Sequence, residues 1–443
     1  MTDLLIIGGG PGGHGAALYA AKHGLSVTVV EEGRLGGTCL LRGCIPTKAL
    51  VHDAEKFAAH AEGGADVDGP DAFADAMRRK EAVVDGLCGN LETMFRKQGI
   101  AVVAGRATLR DDHAAVVNGE VIEAANVIVA TGGVPKMPRL PGLGAGPRSP
   151  NVMMSAELLS VKTLPGSLCV VGAGVVGMEM ASVFVGFGCK VSVVEYLKEC
   201  LPTVDGEIAK RLRKTMERQG VEFHMGCSVE RVEGGTVRFR DAKGRDGAVE
   251  AERILVATGR RPNTDGLGLD VAGVYADGQG VRVDGNMRTN VAGVYAVGDV
   301  NGLSMLAHSA TFQARRAVNH ILSRGDNIRL DIVPSAVFTR PEAAGVGLTE
   351  EACRERGVEC GIRKALYRAN GRAQAAGQTD GMLKLVCGAD GAILGCHALG
   401  ANASFLVQEV AALMNFGATA DRLADIVHIH PTLGEILLDA AMG

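Results

Sequence analysis

The order strand, G-x-G-x-x-G, helix, strand, acid occurs twice in this chain, and few folds admit it. The first copy reads "DLLIIG", "GGGPGG", "HGAALYAAKHG" and "LSVTVVE". The second, from residue 168, reads "LCVVGAGVVGMEMASVFVGFGCKVSVVE". Gly8, Gly10 and Gly13 form one motif, and Gly172, Gly174 and Gly177 form the other. Glu31 follows Gly8 at the same offset as Glu195 follows Gly172. Each position has a task. The first Gly allows a tight turn from strand to helix, the second lets a pyrophosphate approach the backbone, and the third lets helix and strand pack closely. The helix N-terminus turns its partial positive charge to the phosphates. The acid ends the second strand and accepts hydrogen bonds from ribose hydroxyls. One such motif alone is weak evidence. The whole order, twice, predicts an α/β chain with two Rossmann-like dinucleotide-binding domains.

Two further segments rhyme. "NVIVATGG" (126–133) and "RILVATGRRPN" (253–263) each place a short β-branched strand before Ala-Thr-Gly. Each is expected to close the sheet of its own domain, the second domain being inserted. The Pro- and Gly-rich stretch 139–150 is the expected crossing. Glu195 would repel a 2'-phosphate, and "YLKECLP" after it carries only Lys198 as a cation. The second domain is therefore expected to take NAD rather than NADP.

Composition narrows the rest. A chain of 443 residues accommodates two to four domains. Its net charge of −4 gives no electrostatic footprint for nucleic acid, and no apolar run reaches the length of a membrane span. Leu4–Ile7 is too short for a signal-peptide core and has no basic flank, so a cytoplasmic protein is expected. Nine of the eleven cysteines (Cys88, Cys169, Cys189, Cys200, Cys227, Cys353, Cys360, Cys387 and Cys396) are scattered. They read as small buried hydrophobes in a reducing compartment.

The other two lie in "GGTCLLRGCIPTKAL" (36–50). On a regular helix, residues five apart are separated by roughly 8.7 Å at Cα, which is beyond disulfide reach. If Cys39 and Cys44 oxidise, the segment cannot be helical throughout. Gly43 and Pro46 supply the permissive backbone and the missing N–H that a distortion needs. A helix starting near Pro46, with Lys48 in the same turn, would lower the Cys44 thiolate pKa. A redox pair is favoured over two buried thiols. A metal site would need further ligands, and no C-x-x-C or H-x-x-x-H lies here.

The Cys segment resembles the redox-active disulfide segment of the flavoprotein disulfide reductases. The two dinucleotide motifs, "VYAVGDV" and "HIHPTLGE" resemble the rest of that family in order, over essentially the whole chain. Within it, the resemblance is strongest to the members that oxidise dihydrolipoamide with NAD. The resemblance implies FAD at the first motif, with Glu31 on the adenosine ribose. Thr131, Gly132, the backbone near Ala107, and Asp299 on the ribityl chain would complete the flavin site. Met305, Leu306, Ala307 and His308 would bring backbone N–H groups at a helix start to the flavin's pyrimidine edge. NAD would sit at the second motif, touching Val229 and Gly259. Lys48 and Glu179 would pair near the flavin's reactive nitrogen.

The resemblance also implies an acid–base unit. His430 and Glu435 resemble the family's dyad, with the carboxylate orienting the imidazole and His428 a neighbour only. That dyad reaches the disulfide of the other subunit, which implies a homodimer. The lipoyl group is expected on another protein, belonging to a 2-oxo acid dehydrogenase or glycine cleavage system.

Relatives are separable. A glutathione reductase would want basic residues near Glu195 and an Arg early in the first helix. Mercuric reductase and the larger thioredoxin reductases would need a C-terminal vicinal Cys pair, and the last cysteine is Cys396. A non-catalytic flavin-binding subunit is the reading from another class, and the intact Cys39, Cys44, Lys48, His430 and Glu435 argue against it. His14, Ala16 and the compact 60–77 segment depart from the pattern. The expected layout is an FAD domain (1–149), an NAD domain (150–265), a central segment completing the flavin site (266–333) and a C-terminal α+β interface domain (334–443).

Overall fold

The computed structural model describes residues 1–64, 68–144 and 148–443. Part of the 60–77 segment and part of the 139–150 crossing therefore lie outside the described residues. The chain divides into two compact units. One takes in residues 1–50, 75–136 and 259–330, and the other 51–74, 137–258 and 331–443.

The first unit is built on β1 (Thr2–Ile7), α1 (Pro11–Lys22) and β2 (Val27–Glu31). It continues through α2 (Gly37–Arg42) and the start of α3 (Cys44–Glu62). β3 (Ala101–Ala104), β4 (Ala107–Leu109), β5 (Ala114–Val117) and β6 (Glu120–Val129) follow. The sheet order is β3-β2-β1-β6-β5-β4, and the later strand Val294–Ala296 also pairs with β6. β3, β2, β1, β6 and Val294–Ala296 are parallel to their neighbours, whereas β4 and β5 form an antiparallel arm on β6. Both faces of the parallel part are buried, as βαβ crossovers require. Leu4 and Ile6 pack on one side with Ala16, Ala17 and Ala20 of α1 and with Ala314, Ala317 and Val318 of the helix Ala307–Ile321. Leu5 and Ile7 pack on the other. Each fully buried Leu or Ile contributes about 1.5–3 kcal/mol. This explains why "LLII" is apolar without alternation.

The second unit repeats the plan. β7 (Val152–Met153), β8 (Ser167–Val171), α4 (Val175–Gly186), β9 (Lys190–Glu195), α5 (Gly206–Arg218), β10 (Glu222–Met225) and β11 (Arg253–Val256) give a parallel sheet. Its order is β10-β9-β8-β11-β7. Each Ala-Thr-Gly thus follows a strand of its own sheet, as its sequence predicts.

The same unit holds an antiparallel sheet near the C-terminus. Its strands are β12 (Ser335–Val337), β13 (Glu342–Gly347), β14 (Cys360–Leu366), β15 (Met382–Gly388) and β16 (Ile393–Gly400), in the order β12-β13-β16-β15-β14. Between β13 and β14 lies α6 (Glu350–Arg356). The helices Ala403–Asn415 and Glu435–Met442 bury Leu406, Val410, Ile436 and Leu437 against one face. Among the described residues no helix is long and apolar enough to cross a membrane.

Candidate active site

The two glycine turns have the same construction. Gly8 and Gly172 take φ of +105° and +107°, which glycine adopts without penalty. A Cβ on Gly13 would stand 1.8 Å from the Gly8 carbonyl oxygen, and one on Gly177 would stand 2.0 Å from that of Gly172. Gly10 and Gly174 are the N-caps of α1 and α4, and neither helix start has a side-chain cap. The acids are already engaged with the turns. Glu31 accepts from Gly9 N at 2.7 Å and Gly33 N at 2.9 Å. Glu195 accepts from Ala173 N at 2.6 Å and Leu197 N at 2.7 Å. Each carboxylate oxygen keeps a lone pair for a ribose hydroxyl. Both turns therefore fit a dinucleotide: uncapped N–H groups, a backbone no side chain could replace, and a fixed acid. At the first turn, the His14 Nδ1 is buried without a partner. Burial also pushes the His14 imidazole below its usual range, which favours its neutral form.

The flavin residues expected from the later sequence gather on the first unit. Leu306 is the N-cap of the helix Ala307–Ile321 and supplies no side-chain cap, so the "MLAH" segment does sit at an open helix start. Gly132 has φ +69°, and the Thr131 hydroxyl donates to Asn263 O at 2.8 Å. Ala107 opens β4 on the antiparallel arm. Asp299 lies in the single turn Gly298–Asn301. Burial raises its carboxyl, and the nearby Arg260 guanidinium opposes that shift, with Nε 3.4 Å from Oδ2. Sequence reasoning missed Arg260 and the buried amides that hold this turn. Gln313 Oε1 accepts from Gly298 N at 2.8 Å and from Asn301 Nδ2 at 2.9 Å. Only "RRPN" directly after Ala-Thr-Gly offered a signal for Arg260.

The cysteine segment is two helices, not one. α2 ends at Arg42, Gly43 breaks the path with φ −147° and ψ −109°, and α3 begins at Cys44. Pro46 sits in the first turn of α3, where a missing N–H costs nothing. The break falls at Gly43, and a Cβ there would stand 2.9 Å from Thr38 O. The kink brings the thiols together. The Cys39 thiol is held far above its usual range, first by its hydrogen bond to Cys44, then by burial and by negative charge on Cys44, with Lys48 opposing. Cys44 stands at the start of α3, where the helix dipole favours an anion.

Within the second unit the expected His430–Glu435 contact is formed. His430 Nδ1 lies 2.8 Å from Glu435 Oε1. Glu435 Oε2 accepts from Thr432 N at 2.9 Å, and that bond and His430 hold its carboxyl below the usual range. The His430 side chain is 79% exposed, leaving Nε2 on the surface. His428 is engaged at both ring nitrogens, by Ile426 O and Glu409 Oε1, and is no free base. Glu179 is buried, and its Oε1 accepts from Phe338 N at 2.9 Å. Lys48 belongs to the other unit. Val229 lies on the strand Cys227–Glu233, and Gly259 takes φ +105°. Among the described residues no group of His, Cys, Asp and Glu is placed to hold a metal ion.

Known proteins resemble this chain over its length. Residues 2–314 match the pyridine nucleotide-disulphide oxidoreductase family, and residues 333–441 match that family's dimerisation domain. The chain is 37% identical over 452 residues to a dihydrolipoyl dehydrogenase of Chlamydia muridarum, covering 99% of this chain and 96% of that one. Among solved structures it is similar to LpdA from Mycobacterium tuberculosis, with TM-score 0.90, 29% identity, and coverage of 100% and 99%. It is also similar to the HOCl-induced flavoprotein disulfide reductase RclA from Escherichia coli, with TM-score 0.89, 30% identity, and 99% of each chain covered. Two glycine turns of one design, a dithiol at a helix break and a matched dimerisation domain leave one assignment: the chain belongs to the pyridine nucleotide-disulphide oxidoreductase family.

Proposed function

We propose that this chain is an NAD-dependent dihydrolipoyl dehydrogenase, acting as a homodimer on a lipoyl group carried by another protein. The observation that carries the reading is the kink at Gly43, which sets the Cys39 and Cys44 thiols against each other at the start of α3. The nine remaining cysteines, mostly buried, fit a reducing cytoplasm.

The roles of the residues follow. In the oxidised enzyme Cys39 and Cys44 share a disulfide. His430 of the partner subunit, oriented by its Glu435, takes a proton from one thiol of dihydrolipoamide. The resulting thiolate attacks Cys39 Sγ, and the Cys39–Cys44 bond breaks with Cys44 leaving as a thiolate. The second substrate thiol then attacks the substrate sulfur of the mixed disulfide. Lipoamide departs, and Cys39 is left as the thiol that hydrogen-bonds Cys44. Lys48 stabilises the charge on Cys44. FAD held by the first turn, Thr131, Gly132, Asp299 and the helix start at Leu306–His308 would supply a two-electron acceptor for the dithiol, and NAD+ at the second turn a hydride acceptor. Gly172, Gly174, Gly177, Glu195, Val229 and Gly259 would contact NAD. The division into 1–149, 150–265, 266–333 and 334–443 assigns these parts to FAD, NAD, flavin completion and dimer.

A steady-state comparison tests the reading. Dihydrolipoamide with NAD+ should turn over at least tenfold faster than with NADP+, and glutathione disulfide with NADPH should give only background. Preference for the glutathione pair, or full activity in Cys44→Ser, would refute it.

A further inference from the structure

A second pair of thiols faces itself outside the site described above. Cys353 lies on α6 and Cys360 opens β14, with six residues between them. Gly357 ends α6 in the left-handed conformation at φ +65°, and Val358 N returns to Cys353 O at 2.9 Å, so the chain doubles back at once.

Side-chain directions bring the thiols to one place. Glu350 and Cys353, three apart, share a face of α6. Glu350 Oε2 lies 3.2 Å from the Lys384 Nζ of β15, which fixes that face toward the sheet. Lys384 is the register partner of Lys364 on β14. Cys360, four residues before Lys364, projects to the same side of that strand. The Cys360 thiol accordingly faces Cys353, and burial together with the neighbouring Cys360 thiol pushes Cys353 up. Cys353 has no exposed surface, whereas Cys360 is partly exposed.

We propose that Cys353 and Cys360 form a second oxidisable dithiol, closed to a disulfide by hydroperoxides and separate from the Cys39–Cys44 pair. The thiolate of Cys360, the accessible sulfur, attacks a peroxide oxygen. The O–O bond breaks, and Cys360 becomes a sulfenic acid as the released hydroxide takes up a proton to give water. The Cys353 sulfur then attacks the Cys360 sulfur, forming the S–S bond and expelling the sulfenic oxygen as a second water. In sum, two thiols and one hydrogen peroxide give one disulfide and two waters. An external dithiol reverses the step by exchange.

The test uses the flavin-loaded dimer, treated with hydrogen peroxide, alkylated and digested with trypsin. The expected result is a tryptic peptide ending at Arg354 joined to the peptide Gly357–Arg363. Both thiols should escape alkylation, and dithiothreitol should restore both. The Cys360→Ser chain should lose the link and keep Cys353 as an unmodified thiol. The Cys353→Ser chain should carry Cys360 on to sulfinic acid. The same link must form in a Cys39→Ser/Cys44→Ser chain, where the catalytic pair cannot consume or relay the oxidant. Wild-type protein whose Cys360 becomes sulfinic acid, or stays fully alkylatable while Cys39 and Cys44 oxidise, overturns the proposal. So does a link that forms only when Cys39 and Cys44 are present.

Discussion

Gly177→Ala separates the two halves of the catalytic cycle. The added Cβ would stand 2.0 Å from Gly172 O and 3.1 Å from Val170 Cγ1, whereas real Cβ contacts essentially never fall below 3.0 Å. The obstacle is backbone, so no rotamer relieves it. α4 must therefore move by about 1 Å from the end of β8, and overpacking of this kind costs about 1–3 kcal/mol. Alanine's better helix propensity returns only about 0.5–1 kcal/mol, so the clash decides the sign. The displaced groups are the N–H groups of the first turn of α4, which would face the pyrophosphate. A misplacement of about 1 Å at a binding element lowers turnover roughly 100-fold. Stopped-flow mixing with dihydrolipoamide reads reduction of the dithiol and flavin alone, and steady-state assays with NAD+ read the whole cycle. The expected result is near-wild-type reduction in the first assay and a kcat/KM for NAD+ lowered about 100-fold in the second. An unchanged kcat/KM for NAD+ would show that this turn does not hold the nucleotide. Equal loss in both assays would show a global effect instead.

Three further outcomes are expected. His430→Gln removes the proposed base and should lower dihydrolipoamide oxidation by about 10²–10⁴-fold while flavin content, read by absorbance, stays constant. Lys384→Met leaves the fully buried Asp205, 2.8 Å from Nζ, without its cation, and should lower stability to urea by about 3–5 kcal/mol. The lower end is favoured, because Asp205 still accepts from Glu207 N and Ile208 N at the start of α5. His14→Phe should flatten the acid side of the stability curve. Because burial lowers the folded His14 pKa from 6.5, the unfolded chain binds the extra proton, and stability falls as pH drops from that value through the folded pKa. Urea midpoints for both chains at about pH 7.5 and about pH 5.5 check this; parallel declines would refute it.

What could be read from the sequence is what local geometry dictates. The glycine motifs and their acids were legible because each constraint spans about one βαβ unit. The broken helix at Cys39–Cys44 was legible because a regular one forbids the disulfide, although the break belongs to Gly43 and Pro46 merely sits in the first turn of the next helix. His430 and Glu435 were paired only through the resemblance of "HIHPTLGE" to the family's dyad, and the contact forms. The rest depends on residues far apart in the chain. Lys384 in "MLKLV" reads as a solvent-facing strand position, yet it is buried against an acid 179 residues earlier. Arg260 beside Asp299, and Gln313 beneath the Asp299 turn, become neighbours only after folding.

The strand Val294–Ala296 also has a meaning for synthesis. It supplies the last parallel neighbour of β6, at Val127–Val129, yet the parallel sheet of the second unit is complete once Val256 exists. A chain emerging from the ribosome thus finishes its later sheet first. Meanwhile β6 waits with an apolar edge open to any passing strand. Chains truncated near residue 290 should give a protease-resistant core from the second sheet and aggregate through the first. Truncations that retain Ala296 and the helix Ala307–Ile321 should not, and equal solubility of the two sets would show that this edge is guarded some other way.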